Sequence, residues 1–231
     1  INKSEVTGLP FTGVTTHWYE VVFKRADLMA ALFNSIVLGI ISATIATGLA
    51  FFLGLAFRRD FVGKRLVLGL VLLPIIMPGI VGGVVLLIFF GYAGMRPVLY
   101  TTVLAAHINW VLPFAFLTLN GRLQGLDKAV EEAAADLGAR SWQVLTWVIL
   151  PIVRPALIAT VLFSFSLSFD EFIRTLFVIG YDRTVPVVFW GAIVDRLAPE
   201  LPAMAIITIL ISTAASLCGF AFASRSRAKS A

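Results

Sequence analysis

An acidic pair, Asp170-Glu171, follows a stretch from Phe163 to Phe169 in which serine and phenylalanine recur. Carboxylates next to aromatic rings attract cations through charge and through the negative faces of the rings. The pair and the neighbouring Phe169 therefore predict a site for an organic cation. The alternative is structural, because both carboxylates could cap a helix end or pair with Arg174, three to four residues further on.

A second polar group, His107, Asn109 and Trp110, lies inside an apolar run just before Pro113. Polar side chains within a membrane segment predict a transport pathway by default. Hydrogen bonding between helices is the alternative. His107 and Trp110 are thus further candidates for residues along a solute path.

The sequence offers little catalytic or metal-binding chemistry. It holds two histidines and one cysteine, Cys218, without the spacing of a metal site or of a Ser-His pair. No G-x-x-x-x-G-K-[ST] motif is present, so this chain is not expected to hydrolyse ATP or to carry a cofactor or metal of its own. It also lacks a basic stripe with interleaved aromatics, which argues against nucleic-acid binding.

Long uncharged runs must position these residues. The chain has 231 residues, of which 59% are hydrophobic and 13% charged, whereas soluble domains carry about 25% charge. About 20 apolar residues span a bilayer. The sequence therefore predicts an all-α, polytopic membrane protein with an external segment at 1–27 and membrane helices at 28–57, 66–95, 97–120, 152–169 and 201–224.

Two of these runs have special features. Small residues that allow close helix packing recur along the first run, at Gly39, Ser42, Ala43, Ala46, Thr47, Gly48, Ala50 and Gly54. The second run contains the segment 74–79 with two prolines and a glycine, which predicts a broken helix at a cavity or, alternatively, a plain packing kink.

A polar stretch, 131–138, interrupts the apolar pattern. Its alanines and carboxylates favour a short helix, and Gly138 is expected to end it. A second short amphipathic piece, 142–149, is predicted to end at Pro151. Such a helix–glycine–helix elbow between membrane segments suggests a platform for a partner outside the membrane.

This stretch resembles the "EAA" loop of ABC importer permeases. The family pattern maps onto Glu132, Ala133, Ala134, Gly138, position 148, Leu150 and Pro151, with Val148 in place of isoleucine. The resemblance implies a type I ABC importer permease bundle with a cytoplasmic coupling loop at 122–151. It also implies that Glu132 pairs with the ATPase, that Ala133 and Ala134 allow close approach, and that Gly138 sets the elbow.

Further segments look like the second permease of spermidine/putrescine-type importers. They are 15–19, 59–64, 137–139, 149–151 and 163–172. The resemblance implies two ATPase subunits that bind ATP and Mg, a second and different permease, an external solute-binding protein and a polyamine as solute. Family members carry a helix before 15–19, so a sixth, first helix is expected ahead of the chain. Amino acids, aminophosphonates and iron remain alternative solutes.

Positive charges predict the orientation. The loops 58–65, 121–143 and 224–231 carry ten Lys and Arg residues over short lengths, against seven in the longer opposite segments. The first set is therefore expected in the cytoplasm, and the C-terminus with it. The resemblance to importer permeases implies that the membrane is the plasma (inner) membrane of a bacterium. A secondary transporter and an intramembrane enzyme are the rival classes. The former would also have broken helices, but no inverted repeat is visible.

Overall fold

A computed structural model describes residues 13–195 and 198–228 of the chain. The regular elements of these residues are helical. In chain order they are α1 His17–Lys24, α2 Ala26–Ala56, α3 Lys64–Ile76, α4 Gly79–Tyr92, a π-helical turn Leu99–Val103, α5 Leu104–Gln124, α6 Lys128–Asp136, α7 Ser141–Gln143, a π-helical turn Val144–Ile149, α8 Leu150–Phe169, α9 Ile173–Val178, α10 Val185–Asp195 and α11 Leu201–Ala228.

Within these residues, four helical segments are long and apolar enough to cross a membrane. They are Ala26–Ala56, Leu99–Gln124, Ser141–Phe169 and Leu201–Phe222. The pair α3 and α4 would make a fifth if it is one broken span, since the two helices meet at an angle of 112°. The bend is much sharper than a packing kink, and it falls at the predicted proline-rich break.

Helix α2 is the centre of the bundle and packs against both α5 and α8. The eight small residues named from the sequence, Gly39 to Gly54, are buried with the exception of Gly48, so this stripe faces neighbouring helices of the same chain. At Gly54 the approach to α5 is so close that a Cβ atom would lie 2.5 Å from a methyl group of Leu123. Helix α8 in turn packs against α11.

The sequence prediction was wrong about Pro151. The helical segment does not end there but runs without interruption from Ser141 to Phe169, through the π-helical turn that immediately precedes α8. A proline lacks a backbone N–H and its ring crowds the preceding turn. The wider π-helical turn gives that ring room, which explains how the helix passes through Pro151.

Three further helices differ from the prediction, one in its end and two in that they were not expected. Helix α5 extends to Gln124, past Arg122, because a basic residue is tolerated in the last turn of a helix and the helix ends only at Gly125. Helices α1 and α9 were not predicted, since each is short and lies in a mixed polar and apolar stretch. Residues 1–12 of the predicted external segment 1–27 and the tail residue Lys229 lie outside the described residues, and side chains beyond Phe222 are not described.

Candidate functional site

The elbow after α6 is built by the backbone of Gly138. This residue has φ +86°, a conformation that favours glycine. Its N–H donates to the Ala135 carbonyl at 2.8 Å, and the Ala139 N–H donates to the Ala134 carbonyl at 3.1 Å. This pair of bonds is the Schellman motif, so the glycine both ends α6 and fixes the direction in which the chain leaves it.

Capping side chains hold the helices on both sides of the elbow. The Asp127 carboxylate accepts from the Ala129 N–H at 2.9 Å at the start of α6. The Gln143 side chain accepts from the Arg140 N–H at 2.7 Å at the start of α7. The elbow is therefore a defined structure, with its helix ends satisfied by nearby side chains.

The end of α2 anchors α6 to the bundle. The Arg58 guanidinium forms an ion pair with Glu131 and donates to the Leu126 carbonyl at 3.3 Å. Gln124 donates to the Phe57 carbonyl at 3.0 Å. The Arg58 side chain is only 9% exposed. This anchor was not predicted from the sequence. The signal for it is the basic pair Arg58-Arg59 at the end of α2 together with the acidic stretch 131–138 in the next loop on the same side.

The predicted coupling residues are distributed over the outer surface of this region. Glu132 and Ala133 are exposed, whereas Ala134 is half-buried against the core. Leu150 and Pro151 are exposed on the following helix. Glu132 is thus open to a partner, while its neighbour Glu131 is occupied by Arg58.

A cleft of about 900 Å³ lies between α6 and the turn that joins α2 to α3. Charged side chains line much of it, namely Arg58, Arg59, Asp60, Lys128, Glu131 and Glu132. A hydrogen bond from Lys64 at 3.0 Å lowers the pKa of the exposed Asp60 carboxyl, so this group stays ionised. The cleft therefore presents both signs of charge next to the elbow.

The acidic pair at the end of α8 has two different environments. Glu171 is 8% exposed, and its carboxylate accepts from the Arg174 N–H at 2.9 Å and from the Arg174 guanidinium at 3.2 Å. Asp170 is exposed and accepts from the Ser212 hydroxyl at 2.9 Å. Of the two alternatives predicted from the sequence, pairing with Arg174 describes Glu171. The cation site stays a prediction for Asp170, which is not paired with Arg174.

Arg174 also provides a hydrogen-bond donor at the break between α3 and α4. Its guanidinium donates to the Pro74 carbonyl at 3.4 Å. That carbonyl has no partner four residues on, because Pro78 has no N–H. The guanidinium carbon lies 3.8 Å from the centroid of the Trp110 ring, at cation–π distance.

Two clefts meet at the acidic pair. One, of about 640 Å³, runs along the break between α3 and α4, and the other, of about 310 Å³, runs between α8 and α11. Three residues line both clefts, and they are Trp110, Asp170 and Glu171. The smaller cleft is rich in hydroxyl groups, those of Ser166, Ser212 and Ser216. Together the clefts offer one open carboxylate, an aromatic ring and several hydrogen-bonding hydroxyls.

His107 and Phe169, the other two predicted pathway residues, lie in the packed interior. His107 is 1% exposed, with Nδ1 2.7 Å from the Ser168 hydroxyl and Nε2 2.8 Å from that of Thr175. Phe169 is buried and stacks on Phe165. The interhelical alternative therefore describes the contacts of His107, and Phe169 packs in a core cluster with residues of α1, α2 and α11.

The packing of α4 against α9 supports the larger cleft and yields a prediction. A Cβ atom at Gly83 would lie 2.4 Å from the ring of Phe177, while one at Gly91 of the same helix would meet nothing within 4 Å. We expect Gly83→Ala to destabilise the protein by about 1–3 kcal/mol, because the ring must move. The matched control, Gly91→Ala, should leave the melting temperature of the purified protein in detergent unchanged. Equal melting temperatures for both variants would contradict the packing described here.

Comparisons with known proteins agree with this architecture. A family model described as "Binding-protein-dependent transport system inner membrane component" matches residues 35–229. The spermidine/putrescine transport system permease protein PotC of Escherichia coli (strain K12) is 33% identical over 89% of this chain and 78% of its own length. The putrescine transport system permease protein PotI of the same strain is 29% identical over 91% and 76%.

A solved structure supports the fold. A chain of the MetNI methionine ABC transporter, in inward-facing conformations, matches with a TM-score of 0.69 at 14% identity, over 93% of this chain and 99% of that one. The predicted fold class, an all-α ABC importer permease bundle, is thereby confirmed.

Proposed function

The chain belongs to the binding-protein-dependent transport system inner membrane component family, and we propose that it forms the path of a polyamine through the membrane. The observation that carries the proposal is the open carboxylate of Asp170, which lies where the two clefts meet next to Trp110. A carboxylate beside an aromatic ring suits an ammonium group. The names of the relatives PotC and PotI, which refer to spermidine and putrescine, support the same class of solute.

We further propose that the solute arrives on an external binding protein and that a second, different permease completes the path. Two ATPase subunits, which hold ATP and Mg, would bind at the elbow. Exposed Glu132, the capped ends of α6 and the charged cleft support this docking place. The concentration of Lys and Arg in the loops on this side supports a cytoplasmic elbow and a cytoplasmic C-terminus.

The experiment that tests the solute is uptake of labelled putrescine and spermidine by the complete complex in proteoliposomes, with its binding protein and ATP. We expect Asp170→Asn to lower uptake of both about tenfold, because a hydrogen bond to a charged group is worth about 1.5–3 kcal/mol. Basal ATP hydrolysis without solute should stay at the wild-type rate, since the elbow is untouched.

The matched control is Asp182→Asn, which also neutralises an exposed aspartate but lies outside both clefts. This variant should transport like the wild type. A wild-type complex that moves neither polyamine, or an Asp170→Asn variant with undiminished uptake, would overturn the proposal.

A further inference from the structure

We propose that Arg174 sets the charge that the solute meets on this chain, by neutralising Glu171 and leaving Asp170 as the one carboxylate without an ion-pair partner among the described residues that line the two clefts. The inference rests on the proposed function and specifies it. In this arrangement, the chain binds one ammonium group of a polyamine at a time. Arg174 is then a specificity-determining residue that acts through Glu171.

The first step is that Glu171 is fully engaged. One of its carboxylate oxygens accepts from the backbone N–H of Arg174 and the other from the guanidinium. Both side chains are almost completely buried, with 4% of Arg174 and 8% of Glu171 exposed. A solute ammonium group would have to displace a buried ion pair to reach this carboxylate, which is costly because a buried charge would lose its partner.

The second step is that Arg174 cannot turn away from Glu171. The Pro74 carbonyl accepts from its guanidinium, and Trp110 lies against the guanidinium plane. Gly82 of α4 lies next to the side chain, since a Cβ atom there would be in ordinary van der Waals contact with Nε, at 3.6 Å. The guanidinium thereby also covers one face of the Trp110 ring, so a solute cation cannot use that face.

The described residues that line the two clefts carry one net negative charge. Among the described residues that line them, the charged ones are Asp170, Glu171 and Arg174. The ion pair has no net charge, which leaves the single negative charge of Asp170. Beyond that carboxylate the smaller cleft continues with neutral hydroxyls, Ser212 and Ser216 among them. This environment favours one ammonium group followed by a hydrogen-bonding chain over two closely spaced cations.

The charge can be changed one unit at a time with neutral glutamine variants, read out as spermidine and putrescine uptake by the complete complex. Arg174→Gln frees the Glu171 charge, so we expect the ratio of spermidine to putrescine uptake to rise about fivefold, because the triamine carries one more positive charge than the diamine. Glu171→Gln leaves Arg174 uncompensated next to Asp170, so uptake of both should fall about tenfold.

The double variant, Glu171→Gln with Arg174→Gln, decides the matter. It removes both charges and retains Asp170, so we expect uptake and the spermidine-to-putrescine ratio to return to within about twofold of wild type. Because it contains no buried unpaired charge, it also keeps the test valid if Arg174→Gln alone fails to assemble. Double-variant uptake as low as that of Glu171→Gln would overturn the inference, since Glu171 would then touch the solute directly.

Two controls separate charge from shape. Arg174→Lys keeps the positive charge without the planar guanidinium and should keep the wild-type ratio. Arg183→Gln removes an exposed arginine that lines neither cleft and should change nothing. A wild-type complex that transports neither polyamine refutes the proposed function, whereas normal wild-type transport without recovery in the double variant refutes only the role of Arg174.

Discussion

The Gly138→Leu variant is expected to lose about nine-tenths of ATP-driven uptake while the membrane bundle stays folded. A residue with a Cβ atom costs roughly 1–2 kcal/mol in the left-handed conformation that Gly138 adopts. No atom lies within 4 Å of a Cβ placed there, so the penalty comes from the backbone and not from a clash. A cost of 1.4 kcal/mol lowers the equilibrium constant for forming the native elbow about tenfold.

The measurement compares uptake with ATP hydrolysis in the same proteoliposomes. Hydrolysis should continue but no longer respond to the loaded binding protein, because the ATPase subunits lose a rigid contact. Gly138→Asn should retain most uptake, since asparagine tolerates this conformation better than leucine. Gly121→Leu, at an equally open position in α5, is the control for bulk. Wild-type uptake by Gly138→Leu at wild-type expression would show that the elbow does not transmit force.

The Arg58→Ala variant is expected to release α6 from the end of α2. Arg58 is nearly buried between Glu131 and the Leu126 carbonyl, so its removal leaves the Glu131 carboxylate without its ion-pair partner and the Leu126 carbonyl without its donor. Breaking a buried pair of this kind costs about 3–5 kcal/mol, and the partial exposure of Glu131 places the effect at the lower end of that range. We expect uptake to fall more than tenfold, together with faster protease cleavage in the 124–140 region.

Arg59→Ala is the matched control for this prediction. Arg59 is the next residue in sequence and carries the same charge, but it is exposed, and its hydrogen bonds within the described part of the chain use the backbone. Its N–H donates to the Ala56 carbonyl and its own carbonyl accepts from Lys64. Its loss should leave protease cleavage in the 124–140 region close to wild type. Cleavage is the readout compared between the two variants, because Arg59 also lines the charged cleft. Similar behaviour of the two variants would mean that general positive charge, and not the anchor, matters here.

The apolar runs were sufficient to predict the long helices, because a membrane segment needs length and apolar composition more than any particular side chain. The break near Pro74 and the glycine end of α6 were also predictable, since proline and glycine act locally on the backbone. Helix α9 was not predictable in this way. It has six residues, no clear periodicity and a buried arginine, so its place depends on the neighbours that surround it.

The roles of individual site residues depended on contacts between distant parts of the chain. In the sequence, Asp170 and Glu171 are adjacent, and either could form an ion pair with Arg174. The direction in which the chain leaves α8 determines that Glu171 forms this pair and that Asp170 does not. The pairing of Arg58 with Glu131 joins residues 73 positions apart. Similarly, Phe169 and Phe172 both follow the serine-rich run, yet only Phe172 reaches the larger cleft.

The hydrogen bonds around His107 restrict how the bundle can move. The Thr175 hydroxyl donates to the Glu171 carbonyl, so it accepts from Nε2–H of His107, and Nδ1 accepts from Ser168. Ser168 in turn accepts from Ser42, which gives a one-way chain through α2, α8, α5 and α9. If any of these helices slid past another, a buried donor would be left without an acceptor in an apolar interior, which is costly. We therefore expect these four helices to move as a single body during transport, with the change of access at the borders of that body.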